Sequence, residues 1–398
     1  MKKFNLLVPM AGMGSRFLNE GYKIPKQILN AGNKHLIDIS LDCIEISECN
    51  LTFVVRDDHV FDFKIDEILK DKFGEDINVV VTDGLTEGSV CSCLLAEKYI
   101  NNDLPLVIHT LDVEFSPRID VDYLENINDD GHILTFKSNS KNYSYAQVDS
   151  DTGKILKTAE KKVISSNACV GIYYFKTGKL FCEYAQKMID LDLRTKNEFY
   201  ISPLYNLLVE NNLTVGITQV EKMHIFGTPK EYDFYRHNVL KRFGNKPIAL
   251  CADHSGYAAK ERFKGVLEQM NLTYIDFGTY IDKDCDYIPY VEQSAKSVKD
   301  RNCDYAFIFC RTGQGVNMCA NKIKDIRSAL IYDLNALEMA VRHNCANFFA
   351  FPSKLYSDMS DNSQEENIRE IITTLSSNTF DGGRHQNRVQ QTNALEEN

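Results

Sequence analysis

Short apolar runs separated by polar turns recur through the first half of the chain: Asn5–Pro9, Leu51–Val55, Asn78–Val81, Leu106–His109 and Gly171–Phe175. Runs this short, rich in Val, Ile and Leu, predict buried strands. Longer segments between them, such as Gly88–Tyr99 and Thr177–Ile189, predict helices. The alternation predicts an α/β architecture with a mostly parallel sheet. The pattern then restarts. Lys241–Lys246 is polar and contains Arg242, Gly244 and Asn245, as a linker would. A fresh strand, Pro247–Ala252, follows it, with further strands at Thr273–Asp276, Tyr305–Phe309, Ser328–Ile331 and Asn347–Phe351. The reading is two doubly wound α/β domains, residues 1–240 and 247–392, joined by 241–246 and ending in a polar tail, 393–398.

Composition narrows the class. The 398 residues are 43% hydrophobic and 11% aromatic, enough for two sizeable cores. A formal net charge of -11 argues against a nucleic-acid partner, while leaving room for a local basic pocket that takes anionic substrates. The 12 Cys are scattered with no C-x-x-C pair, which disfavours a structural zinc site and suits reduced thiols in the cytoplasm. The opening MKKFNLLVPMAGMGSRF reads as a first strand running into a glycine loop rather than a signal peptide. No run is long enough to span a bilayer, so no membrane association is expected.

Four segments of the first domain carry chemistry. In Leu6-Leu7-Val8-Pro9-Met10-Ala11-Gly12-Met13-Gly14-Ser15-Arg16 a strand enters a loop where Gly12 and Gly14 let backbone amides approach a polyphosphate, and Arg16 can neutralise it. Alone, such a loop also fits an ordinary strand-to-helix turn. Lys26, directly after Pro25, is a rigidly placed cation suited to a second substrate's phosphate, or else a solvated surface lysine. Thr86-Glu87-Gly88-Ser89 marks a helix start whose amides can meet a nucleobase or ribose. Asp112 lies just past the carboxyl end of Leu106–His109, the edge where open α/β sheets bind ligands, and near a triphosphate it would be a natural Mg²⁺ ligand.

Together these residues resemble the sugar-phosphate nucleotidyltransferase family over about residues 1–235, in particular the short nucleotidyltransferases of bacterial capsule and surface-polysaccharide clusters. Glu160-Lys161, Gly171-Ile172-Tyr173-Tyr174-Phe175, Asn197-Glu198-Phe199-Tyr200 and Gly227-Thr228-Pro229 extend the likeness. The resemblance implies a Rossmann-like mixed sheet and in-line attack of a phosphate oxygen on the α-phosphorus of an NTP, with pyrophosphate leaving. Ala11, Gly12, Gly14, Glu87 and Gly88 would bind the nucleotide, Arg16 and Lys26 would act in catalysis, and Asp112 would hold Mg²⁺. One departure stands out. Many family members carry a second metal-binding Asp near the domain's end, where this chain reads His224-Ile225-Phe226-Gly227-Thr228-Pro229.

The second domain opens with Asp253-His254 after a strand and continues with Cys310-Arg311-Thr312-Gly313-Gln314-Gly315, Asn321-Lys322, Arg327, His343-Asn344 and Gly382-Gly383-Arg384-His385, then Arg388. Each has an ordinary alternative: a buried thiol for Cys310, a helix cap for His343, surface charges for Arg384 and Arg388. In this order they resemble the ribose-5-phosphate isomerase B family, which includes galactose-6-phosphate isomerase subunits, over about residues 247–392. The resemblance implies a Rossmann-like domain and aldose–ketose interconversion of a sugar phosphate without cofactor. Cys310 would be the base and His343 would open the ring. Asp253 and His254 would bind hydroxyls or assist that step. Arg327, Arg384 and Arg388 would hold the phosphate, and Thr312, Gly313, Gly315, Asn321 and Asn344 would line the sugar site. The family builds its site across a dimer interface, so a homodimer through this domain is expected. Arg311 stands where the family usually has Gly, and Asp286-Tyr287-Ile288-Pro289-Tyr290 replaces the usual Asp-Tyr-Pro-x-Tyr.

The two likenesses combine into a bifunctional enzyme of surface-polysaccharide precursor synthesis using CTP or another NTP, with CTP favoured, and a sugar or polyol phosphate. A monofunctional nucleotidyltransferase whose second domain only dimerises or senses a sugar phosphate is the alternative, with Arg311 as its support.

Overall fold

The computed structural model describes residues 2–31, 34–240, 243, 245–357 and 359–397. The chain divides into two compact units, Met1–Tyr235 and Arg236–Asn398. Within the expected linker, Lys241, Arg242 and Gly244 lie outside the described residues, as does Asn398 of the expected tail.

In the first unit the strands Phe4–Pro9, Cys49–Arg56, Asn78–Thr82 and Leu106–His109 run parallel, with Phe4–Pro9 between Leu106–His109 and Cys49–Arg56. The two-residue period of a strand sends alternate side chains to opposite faces. Leu6 and Val8 accordingly join one core with Phe53, Val55 and Val107. Leu7 joins another with Val54, Leu106 and Ile108. Both faces of the inner strands are covered, which is why Phe4–Pro9, Cys49–Arg56 and Leu106–His109 read as apolar runs; each fully buried aliphatic side chain contributes roughly 2 kcal/mol. Asn167–Phe175 pairs antiparallel with Leu106–His109 and with Gly131–Lys137, so the full sheet is mixed and nine-stranded among the described residues.

The second unit holds a five-stranded sheet in the order Tyr274–Asp276, Ile248–Ala252, Tyr305–Cys310, Phe348–Pro352, Ser328–Leu330. Every pairing in it is parallel. Its two faces repeat the same logic: Leu250, Phe307 and Phe309 pack on one side, Ala249, Cys251 and Ile308 on the other. In both sheets the direction of winding reverses beside the first strand. A crevice opens there at the carboxyl ends, between Phe4–Pro9 and Leu106–His109 in one unit and between Ile248–Ala252 and Tyr305–Cys310 in the other.

Candidate functional site

The crevice of the first unit is a cleft of about 800 Å³ lined by Ala11, Gly12, Arg16, Gly88, Thr110, Asp112 and Gly227, among others. Two loops build it. After Pro9 the chain turns through Gly14, whose φ of 62° caps the short helix Ser15–Asn19 from the left-handed region. After His109 the chain turns through Leu111, a non-glycine residue at φ 59°. Buried His109 fixes this second turn. Leu111 N–H donates to its Nδ1 at 3.1 Å, so Nε2 carries the proton and donates to the Ser40 carbonyl at 3.0 Å. Burial, only partly offset by that carbonyl and by Asp112, lowers its pKa to about 4.

Asp112 is held from the far side by the antiparallel pair Val113–Ser116 and Lys222–Ile225, and Phe226 N–H donates to its carbonyl at 2.9 Å. A Cβ on Gly227 would stand 3.1 Å from Asp112 Oδ2, so the chain passes tightly against this carboxylate and glycine keeps it uncrowded. Lys26, in the short turn Lys26–Ile28, forms an ion pair with Asp112 Oδ1. Lys26 and Gly14 line a smaller adjoining cleft of about 340 Å³, which shares Pro9, Gly12, Met13 and Thr110 with the larger one. Glu87 is directed elsewhere: its carboxylate pairs with Arg194, while its carbonyl accepts from Phe199 N–H at 2.9 Å. Gly88 presses on the Phe199 backbone, where a side chain would collide.

Sequence reasoning missed Glu231 and Tyr143, which share the large cleft. Burial raises the Glu231 pKa and the charge of Asp112 adds to it, while Thr228 and Arg16 oppose. Burial pushes the Tyr143 phenol up, and the charge of Glu231 adds to it. A signal for Glu231 was present in Thr228-Pro229-Lys230-Glu231, an N-cap, a proline at the first helical position and a glutamate two residues on. Glu160, in a segment that carried the resemblance, accepts from Ser144 and, at 2.9 Å, from Ser202.

In the second unit the expected residues fall into two groups. Asp253 follows the carboxyl end of Ile248–Ala252, and Cys310 ends the neighbouring strand with 5% exposure. Gly256 N–H donates to Asp253 Oδ1 at 2.8 Å. A Cβ on Gly256 would lie 2.6 Å from Phe309 backbone, so glycine permits this approach. Burial raises the Asp253 pKa against the backbone amide of Gly256, the charge of His254 and the Ser255 amide. His254 Nδ1 accepts from Cys285 N–H at 3.2 Å. Gly313, at φ 70°, caps the helix Gln314–Ala320, and Gly315 passes beneath the Tyr287 hydroxyl. The exposed Thr312 completes this carboxyl-edge group, and Thr312 Oγ1 accepts from Gln314 N–H at 3.4 Å.

The second group lies at the opposite edge. Asn321 caps the far end of Gln314–Ala320, and its amide both donates to and accepts from the Ser328 backbone at 2.9 Å. Arg327 immediately precedes the strand Ser328–Leu330; it donates to Cys345 O at 2.8 Å and to Asn238 Oδ1 at 2.7 Å. His343 closes the C-terminal end of the helix Leu334–Arg342. A helix returning between parallel strands ends at their amino edge. There His343 stacks on His385 with centroids 4.0 Å apart. A cleft of about 860 Å³ joins Asn321, Arg327, His343, Asn344, His385 and Arg388. Arg384 Nε donates to His385 Nε2 at 3.3 Å. Burial, then the charges of His343, Arg384 and Arg388, lowers the His385 pKa to about 4, so its imidazole is neutral at pH 7.

Cys310 and Asp253 do not line the His343 cleft. The six-residue strand Tyr305–Cys310 spans about 20 Å from one edge to the other.

Among the described residues no group of three or more His, Cys, Asp or Glu side chains is placed to hold a metal ion, and no helix is long and apolar enough to cross a membrane.

Comparisons with known proteins follow the same division. The first unit's fold resembles the crystal structure of the nucleoside-diphosphate-sugar pyrophosphorylase from Vibrio cholerae RC9, with a TM-score of 0.51 and 22% identity over 58% of this chain and 99% of that one. At that identity the likeness establishes the fold. Ribose-5-phosphate isomerase B of Escherichia coli K12 is 30% identical over 152 residues, 38% of this chain and 97% of the relative. The probable ribose-5-phosphate isomerase B of Mycoplasma pneumoniae is 35% identical over 146 residues, 36% of this chain and 91% of the relative. A family model described as Ribose/Galactose Isomerase matches residues 248–392. Through those residues the chain belongs to the ribose/galactose isomerase family, joined on one polypeptide to a unit of nucleotidyltransferase-like fold.

Proposed function

We propose that the chain is a bifunctional enzyme: its second unit isomerises a sugar phosphate, and its first unit transfers a nucleotidyl group, preferentially from CTP, to a sugar or polyol phosphate. The observation that carries the transferase reading is the convergence of Ala11, Gly12, Arg16, Gly88 and Asp112 on one cleft at the sheet's switch point. The acceptor's phosphate oxygen attacks the α-phosphorus, the bond to the β-phosphate oxygen breaks, and pyrophosphate leaves. Arg16 offsets the charge that gathers, and the Gly12–Gly14 loop brings amides to the phosphates. The donor set fits Mg²⁺. Asp112 lines the cleft with Glu231 nearby, its Oδ1 paired with Lys26, and Mg²⁺ commonly takes one or two carboxylates and completes its shell with phosphate oxygens and water. When bound at Asp112, the ion would supply charge neutralisation to the phosphates.

Family membership and the placement of Cys310 support the isomerase reading. The Cys310 thiolate removes the proton from the carbon beside the carbonyl and returns it to the adjacent carbon. His343 assists ring opening, and Arg384 and Arg388 take the phosphate in their guanidinium forks. Since these groups occupy opposite edges of the sheet, the reading requires a second copy, whose His343, Arg384 and Arg388 face this copy's Cys310. Tyr280, Ile281 and Met318, exposed by 56% or more, supply apolar surface for such a homodimer.

The isomerase leaves phosphate on the terminal carbon, so in a serial pathway the transferase would cap that phosphate. The setting is cytoplasmic synthesis of a surface-polysaccharide precursor. Pyrophosphate release by the purified protein with Mg²⁺ tests this, each NTP being paired with pentose 5-phosphates, hexose 6-phosphates and sugar 1-phosphates. Release with CTP and a terminal phosphate is the expected result; acceptance of 1-phosphates alone would sink the serial reading. Arg311, exposed beside Cys310, favours the second reading, in which the family domain only dimerises or senses. Cys310→Ala separates the two, because unchanged isomerisation would remove Cys310 from the chemistry.

A further inference from the structure

We infer that Lys26 and Asp112 form a latch that a cation-bearing nucleotide opens, so that this nucleotide and the acceptor's phosphate each tighten the binding of the other. The inference rests on the nucleotidyl-transfer reading above. It starts from the observation that the cation meant for a phosphate and the carboxylate meant for a metal ion are paired with each other. The pair is partly shielded, with side-chain exposures of 19% for Lys26 and 37% for Asp112. Lys26 lines the smaller cleft and Asp112 the larger one, so their pair joins the two spaces.

Neither partner can serve two ligands at once. An ammonium on Asp112 Oδ1 opposes a divalent ion at the same carboxylate through like-charge repulsion and through occupation of an oxygen. A divalent ion at Asp112 conversely releases Lys26, which then faces the smaller cleft as an unpaired cation suited to a phosphate. By linkage the two effects are equal in free energy. The cation-bearing nucleotide tightens phosphate binding as much as phosphate bound on Lys26 tightens cation binding. Without nucleotide, the acceptor's phosphate meets a lysine already neutralised, so unproductive acceptor binding is suppressed. Pro25, buried and at φ −54°, and the three-residue turn after it hold the Lys26 backbone, leaving the side chain as the moving part.

The test is Mn²⁺ binding to the full chain in the presence of CTP, followed by water-proton relaxation and by electron spin resonance of free Mn²⁺. Lys26→Met is expected to bind Mn²⁺ about tenfold more tightly than the wild type, and Lys26→Arg to match the wild type within about twofold. Asp112→Asn, with Lys26 released, is expected to bind orthophosphate more tightly without metal. Adding Lys26→Met to Asp112→Asn is expected to erase that gain. Equal or weaker Mn²⁺ binding by a folded Lys26→Met protein overturns the latch while leaving nucleotidyl transfer standing if pyrophosphate is still released by the wild type. Absence of Mn²⁺–nucleotide binding and of pyrophosphate release with every NTP overturns the transferase reading, and the latch with it.

Discussion

In the first unit Gly12, Arg16, Thr110 and Asp112 all follow the carboxyl ends of two neighbouring strands, and a single cleft collects them. In the second unit Cys310 ends a strand whereas His343 ends a helix, and those two kinds of end lie at opposite edges of a parallel sheet. The difference teaches that the element preceding a residue, more than its distance along the chain, decides which residues can share a site. Loops after strands combine within one copy. A loop after a strand and a loop after a helix combine only if another molecule brings the second edge to the first.

The contrast predicts that the two chemistries can be removed separately. Asp112→Asn should lower pyrophosphate release by about 10³-fold, roughly 4 kcal/mol of transition-state stabilisation, and leave isomerisation within twofold of the wild type. Cys310→Ala should do the reverse. Loss of both activities in either variant, with the fold intact by circular dichroism, would mean that the units are functionally coupled rather than parallel.

The buried histidines sharpen the comparison next. His109 underlies the switch-point turn, and its folded pKa is about 4 against the ordinary imidazole value of 6.5. The unfolded chain therefore binds the proton more readily. The stability contributed by neutral His109 is fully present above about pH 6.5 and is lost as pH falls toward 4, on the order of 3 kcal/mol in all. Hydrogen exchange of peptides covering Leu106–Val113, corrected for the intrinsic pH dependence, should show falling protection across that window. His109→Gln should flatten the slope whatever it does to the level. His385 also titrates low, but it lines an open cleft, where Arg384 and Arg388 supply part of the shift. A phosphate bound there should raise its pKa, visible in the titration of its ring protons, while the His109 pKa stays unmoved.

Much of the fold was readable in the chain because the inner parallel strands are buried on both faces. Leu106–His109 is continuous in burial and was bounded to the residue. The strands Tyr145–Val148 and Ile155–Ala159 were not, since their polar alternate positions and the turn between them carry too little apolar signal. Asn167–Phe175 was recognised only in its second half, because Gly171, at φ 97°, interrupts it at a register shift. The residue types of both sites were legible and their mutual placement was not. Lys26 and Asp112 meet across 86 positions. The separation of Cys310 from His343 follows from topology that strand and helix order already contained, yet an ordered string of motifs reads as if it were one pocket.

The smallest predicted effect bears most directly on the comparison. If each isomerase site takes Cys310 from one copy and His343 from another, Cys310→Ala and His343→Asn proteins are each inactive as homodimers for different reasons. Co-refolded or co-expressed in equal amounts, half the dimers are mixed, and each mixed dimer holds one site with both residues intact and one lacking both. Isomerase activity should then return to about one quarter of the wild-type level, since half the dimers carry half their sites. A site assembled within one copy would regain nothing on mixing, because each chain keeps its own lesion. The proposed transfer reaction of the first unit offers the matching control. Arg16 and Asp112 line one cleft within one copy, so mixing Arg16→Ala with Asp112→Asn should restore no pyrophosphate release. Recovery there would show that the first unit, too, borrows residues from a neighbour, and the contrast between the units would fail.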